Sequence, residues 1–176
     1  ADLGRWQETA KSRPGWDARN IDMSRFVRSG EVVFDFGAGA RTVREMVPEN
    51  CRYCPIDCVA SDPSVYVVDF NCSFGLPDPK PTCLYMSGFL EYLDDLPGFV
   101  ERLRRAAPDT FAVFSYGWEI REPERRAQAG WRNDLGGLAA ATAFFSSHFN
   151  HLRQVSSHGK PGARQAIFTG VTRPFG

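Results

Sequence analysis

The chain has 176 residues, 43% of them hydrophobic and 13% aromatic, which suits one domain with its own core and excludes a disordered segment. Its 21 basic and 21 acidic residues cancel to a net charge of zero, so the charge balance gives no support for a nucleic-acid or membrane-surface partner. No apolar run is long enough to cross a bilayer. The opening Ala1-Asp2-Leu3-Gly4-Arg5-Trp6 has no signal-peptide core, and five unevenly placed cysteines lead us to expect reduced thiols in a cytoplasm-like compartment.

Residues 1–28 read as two short helical pieces broken at Pro14-Gly15. Leu3, Trp6 and Ala10 share a face of the first. The second begins at Ile21 or Asp22, carries Met23, Phe26 and Val27 on its apolar side, and stops at Arg28-Ser29-Gly30. We expect residues 1–30 to form a helical cap on a sheet, or a lid that closes through Trp6, Trp16 and Arg19.

Val32, Val33, Phe34 and Phe36 form the near-continuous apolar run of a strand buried on both faces. Gly37 and Gly39 allow a tight turn and close ligand approach, and Val43, Met46 and Val47 recur at helical spacing before Pro48. Asp35 lies two residues before the first glycine. A carboxylate there repels the pyrophosphate of a dinucleotide and favours a cation, and Thr42 stands where a nicotinamide fingerprint requires glycine or alanine.

A second strand, Arg52 to Asp57, ends in an acidic residue roughly twenty positions beyond Asp35, the spacing at which a carboxylate accepts from ribose hydroxyls. Ser64 to Asn71 reads as a third strand and its exit, with Asp69 and Phe70 at the tip. Thr82 to Ser87 reads as the fourth strand, followed by Gly88-Phe89-Leu90-Glu91-Tyr92-Leu93. Asp94-Asp95 caps a helix from Leu96 to Ala107, and Phe111 to Tyr116 is a fifth buried strand. A polar stretch then runs from Gly117 to Asn133. Leu135 to Phe145 follows as an alanine-rich helix. His151 to Val155 and Ala166 to Val171 form a closing antiparallel pair joined by Gly159-Lys160-Pro161-Gly162. Cys51-x-x-Cys54-x-x-x-Cys58 shows no fourth ligand, and we expect core or edge thiols and no metal.

The pattern Asp35-x-Gly37-x-Gly39 resembles the first motif of the class I S-adenosylmethionine-dependent methyltransferases, and Phe89-Leu90-Glu91-Tyr92-Leu93 resembles the segment after their fourth strand. Arg41 stands where that family usually has a third glycine. The resemblance covers roughly residues 31–172. It implies a single α/β, Rossmann-like domain over residues 31–176, with a seven-stranded, mostly parallel sheet, a C-terminal antiparallel hairpin and helices on both faces. It implies S-adenosyl-L-methionine as cofactor. Asp35, Gly37, Ala38, Gly39 and Arg41 would lie in the glycine loop, Asp57 and Cys58 at the ribose, Asp69 and Phe70 at the adenine, and Ser87, Gly88 and Phe89 beside the methionine half.

The implied reaction is methyl transfer to a small-molecule acceptor, with a hydroxyl of a sugar or other metabolite as the default by fold analogy. Glu91, Tyr116 and His148 are the candidate bases. Trp118, Arg121 and Trp131 in the polar stretch are candidates to hold the acceptor. The alternatives are a non-catalytic domain that binds the cofactor or its demethylated product for a partner, and a nicotinamide oxidoreductase, which Asp35 and Thr42 disfavour.

Overall fold

A computed structural model describes residues 14–119 and 122–175. Helix α1 spans Pro14–Ser24 and strand β1 Val32–Phe36, followed by a single 3-10 turn, Thr42–Glu45. Strands β2 (Arg52–Asp57), β3 (Tyr66–Val67) and β4 (Cys83–Met86) come next, then a second 3-10 turn, Leu90–Tyr92. Helix α2 (Leu96–Ala106), strand β5 (Phe111–Gly117) and helices α3 (Pro123–Ala129) and α4 (Leu138–His148) lead to β6 (Phe149–His158) and β7 (Gln165–Thr172).

The seven strands form one sheet in the order β3-β2-β1-β4-β5-β7-β6. The pairings from β3 to β5 are parallel, and β7 runs antiparallel to both β5 and β6. The sheet is therefore mixed and mostly parallel with a C-terminal antiparallel pair, as the family resemblance implies.

Strand alternation divides the core. On one face Phe34, Phe36, Leu84, Met86, Ala112 and Phe114 pack against Phe99 and Leu103 of α2 and Phe145 of α4. On the other, Val33, Cys83, Tyr85, Val113 and Ile167 meet Met23, Val27, Val43 and Val47. Helix α2 starts where Asp95 accepts from the Gly98 N–H at 2.9 Å and ends near Arg104 and Arg105, both favourable at a helix C-terminus.

Several local expectations change. Pro14 does not break a helix but begins one, because the missing N–H of proline costs nothing in a first turn. The first predicted helical piece lies outside the described residues. Phe26 falls beyond the end of α1 and is exposed. The helix expected after the glycine turn is a single 3-10 turn. Strand β3 is only two residues long, since the chain turns at Asp62–Val65 before it and at Asp69–Ser73 after it. The polar stretch contains α3, and α4 begins and ends three residues later than its apolar pattern suggested.

Phe99 touches the rings of Phe36, Phe70, Phe74 and Phe89, with centroids 5.3 to 6.1 Å apart. Phe99→Ala should destabilise the fold by about 3–5 kcal/mol, read as a fall in the urea midpoint with little change in slope.

Candidate functional site

From β1 the chain builds the sheet outward through β2 to β3. It then returns to place β4 on the other side of β1 and builds outward again to β5. The loops leaving β1 and β4 therefore diverge, and a crevice opens at the carboxyl ends of these strands. Asp35, one residue from the end of β1, is only 2% exposed. Its Oδ2 accepts from the Tyr53 hydroxyl at 2.5 Å, two residues up the neighbouring strand. Burial pushes its carboxyl up to about 7; the Tyr53 hydrogen bond opposes that shift and the Asp57 charge adds to it.

The turn after β1 is held open by backbone bonds. The N–H groups of Gly37 and Ala38 both donate to the Ile56 carbonyl, at 2.8 and 3.2 Å. Gly37 has φ +72°, and a Cβ there would lie 3.2 Å from the Phe89 ring. Arg41 also has a left-handed backbone, φ 58° and ψ 27°, at a cost of about 1–2 kcal/mol for a residue with a side chain. Its guanidinium pairs with Asp62 at 3.0 Å and donates to Ser64 Oγ at 3.0 Å. Asp57 accepts from the Gly39 N–H at 2.8 Å through Oδ2 and from Val59 at 3.3 Å through Oδ1. Cys58 beside it is half-buried, and burial pushes its thiol up to about 12.

Asp69 holds the turn after β3 by accepting from the Asn71 N–H at 3.0 Å. Phe70 points inward, its ring among Phe36, Phe74, Phe89 and Phe99. Its side chain is therefore core.

Helix α1 closes the β4 side. Arg19 is 6% exposed, donates to Ser87 Oγ at 2.8 Å and to Gln165 Oε1, and lies flat against Gly88, where a Cβ would come within 2.9 Å of the guanidinium. Ser87 in turn donates to Asn20 Oδ1 at 2.5 Å, and Tyr85 donates to the Asn20 carbonyl at 3.0 Å. Asp22 meets His158 at 2.6 Å and Arg25 at 3.2 Å. Among these residues Arg19, Ser87 and Gly88 were legible in the sequence as part of the site. Asn20, Tyr53 and Gln165 carried no signal, since each acts through a contact distant in the chain.

The three candidate bases separate. Glu91 is fully buried; its Oε1 accepts from the Gly117 N–H at 2.7 Å, and its Oε2 has no partner among the described residues. Burial raises its pKa against the opposing pull of its own N–H, Arg19 and Gly117. Tyr116 is structural: its hydroxyl donates to Asn133 Oδ1 at 2.9 Å and accepts from the Leu135 N–H at 3.1 Å, while burial pushes it up to about 12. His148 is the clear correction. It ends α4 at the start of β6, level with the amino end of β5, on the edge opposite the crevice, where it meets Arg104 at 3.2 Å.

Trp118 and Trp131 both stand at the exit of β5. Trp131 covers Gly117 so closely that a Cβ there would run into its ring, and the buried indole N–H of Trp118 has no partner among the described residues. Arg121 lies outside the described residues. Helix α3 was missed, although Pro123 at its start and Gly130 just past its end, at φ 77°, mark it.

No protein-family model matches the sequence, and no curated protein matches it. Solved structures do. An O-methyltransferase assigned in Nostoc punctiforme superposes with a TM-score of 0.62 at 14% identity, over 95% of this chain and 60% of that one. The N-methyltransferase NodS of Bradyrhizobium japonicum, solved with S-adenosyl-L-homocysteine, gives 0.63 at 13% over 92% and 90%. The N-terminal domain of EvdMO1, solved with S-adenosylhomocysteine and D-fucose, gives 0.57 at 9% over 98% of each. The fold is that of the class I S-adenosylmethionine-dependent methyltransferases. The chain spans less than two thirds of the Nostoc protein.

Within this methyltransferase fold Asp35 is destabilising when ionised. Its folded value of about 7 exceeds the ordinary 3.8, so stability present below pH 3.8 is lost progressively up to about pH 7 and the loss is constant above. Asp35→Asn, which keeps an acceptor for Tyr53, should therefore be more stable than wild type by an amount that grows across this window to about 4 kcal/mol at most. Urea titrations between pH 4 and 8 read it; a constant gap would show that Asp35 is already ionised at pH 4.

Proposed function

We propose that the chain binds S-adenosyl-L-methionine and transfers its methyl group to a hydroxyl of a small molecule, a sugar or a comparable metabolite. The observation that carries this reading is the buried carboxylate of Asp35 at the point where β1 and β4 diverge, beside a glycine turn. A phosphate-bearing ligand would be repelled there; a ligand whose end is an ammonium and a sulfonium would be drawn in. Asp57 at the tip of β2 offers carboxylate oxygens to ribose hydroxyls, in exchange for its present bond to Gly39. The turn after β3, at Asp69 and Phe70, supplies the adenine edge, and Ser87 and Gly88 the methionine half.

Bound in this crevice, the cofactor would supply an electrophilic methyl group. The chain itself must then orient the acceptor and exclude water. Helix α1, tied down through Arg19, Asn20 and Asp22, serves as the cover of residues 1–30 in this reading. Trp118 and Trp131 line the acceptor side. Where the acceptor is a hydroxyl its proton needs a receiver, and Glu91 Oε2 is the carboxylate oxygen at this edge without a partner among the described residues. The D-fucose found with the EvdMO1 domain supports a sugar; the N-methyltransferase neighbour keeps an amine acceptor in the screen.

Calorimetric titration of S-adenosylmethionine and S-adenosylhomocysteine, with NAD as control, tests the reading. Asp57→Ala should weaken binding about tenfold, about 1.4 kcal/mol. Affinity for S-adenosylhomocysteine should rise between pH 6 and 8 as Asp35 ionises, and Tyr53→Phe should move that rise to higher pH, because the bond it removes favours the ionised carboxyl. No binding by the wild type would end the proposal. Accumulation of S-adenosylhomocysteine with a hydroxyl acceptor separates turnover from mere binding.

A further inference from the structure

Arg41 has a left-handed backbone that favours glycine, and its side chain is put to use. It spans from the glycine turn to the loop between β2 and β3. Its guanidinium meets Asp62 Oδ2 at 3.0 Å and Ser64 Oγ at 3.0 Å. Asp62 is prepared for this contact: its Oδ1 accepts from the N–H and the hydroxyl of Ser64 at 2.8 and 2.7 Å, and Val65 N–H closes the turn on the Asp62 carbonyl at 3.0 Å. A second tie runs beside it, from Ser61 Oγ to the Gly39 carbonyl at 2.7 Å. The Gly39 N–H, on the same residue, donates to Asp57 Oδ2.

Three links thus join residues 39–41 to residues 57–64. The loop they fix carries Asp57 and Cys58 at its start and leads into β3, whose exit bears Asp69 and Phe70. Beside the Ser61 and Asp57 ties to Gly39, the loop is held in one position by a charge-assisted pair. Ordering it before the ligand arrives removes an entropic cost from binding.

We propose that Arg41, with Asp62, is a positioning clasp for the adenosine half of the ligand site. The proposal rests on the S-adenosylmethionine reading above. Arg41 need not touch the ligand: it acts through the 58–64 loop. The pair is about one-third exposed on both sides, 34% and 34%, so salt can reach and weaken it.

The test measures dissociation constants of S-adenosylhomocysteine and of 5′-methylthioadenosine, which lacks the amino-acid end. Arg41→Gly and Asp62→Asn should each weaken both ligands by a similar factor, about fivefold. The double variant should be no worse than either single one, as for two members of one contact. Arg41→Lys, keeping a charge but losing the two-pronged reach, should fall between. Raising salt should weaken the wild type more than the double variant. Asp35→Asn serves as contrast, because it should weaken S-adenosylhomocysteine and leave methylthioadenosine unchanged. Circular dichroism and melting temperature check that each variant is folded.

Unchanged or tighter binding by Arg41→Gly overturns the clasp, as does a loss confined to S-adenosylhomocysteine, or single effects that simply add. Failure of the wild type to bind either ligand overturns the reading on which the clasp rests, and the two failures are distinguished by that wild-type titration.

Discussion

The carboxyl group of Asp35 is the constraint around which the rest is arranged. It is enclosed by the sheet at the point where the chain reverses its direction of growth. A charge in that position is costly unless something compensates it. The protein supplies one hydrogen bond from Tyr53 and no cation in contact among the described residues, so burial holds its carboxyl well above the usual carboxylate range. A site in this condition favours a cationic ligand, which restores the missing counter-charge.

The neighbouring polar groups show the opposite policy, in which nearly every atom is satisfied. Tyr116, Asn133 and the backbone of Leu90, Leu93 and Leu135 form a closed set of bonds that ties the exit of β5 to the turn after β4. Arg19 spends its donors on Ser87 and Gln165 and is itself packed over Gly88. Such networks give rigidity when complete. Among the described residues two buried side-chain atoms stay outside them, Glu91 Oε2 and Trp118 Nε1, both near the exit of β5.

The two faces of the sheet divide the work. One is a continuous aromatic core in which Phe36, Phe70, Phe89 and Phe99 interlock, so the walls of the crevice are anchored in a packed interior. Among the described residues the other is covered by α1 and the first 3-10 turn, and it is there that Tyr53, Tyr85 and Asp35 meet.

The sequence by itself determined the buried strands and the residues at their carboxyl ends, because buried strands need apolar runs and tight turns need glycine, and both are local demands; the mostly parallel sheet followed from the family resemblance those strands and turns carry. It also located Asp35, Asp57 and Asp69 at strand tips. Only the tertiary structure decided what their neighbours do. Tyr53 reads as an ordinary strand residue until β1 lies beside it, and Arg41 reads as a missing glycine until Asp62 folds back to meet it. Glu91 and Tyr116 read as free bases until loops distant in sequence take up their hydrogen bonds. His148 shows the limit most plainly: the apolar pattern ended its helix at Phe145, and its place at the end of α4, on that edge of the sheet, depends on the hairpin that follows. Side-chain roles set by long-range partners leave no periodic trace in a chain, whereas burial and turning do.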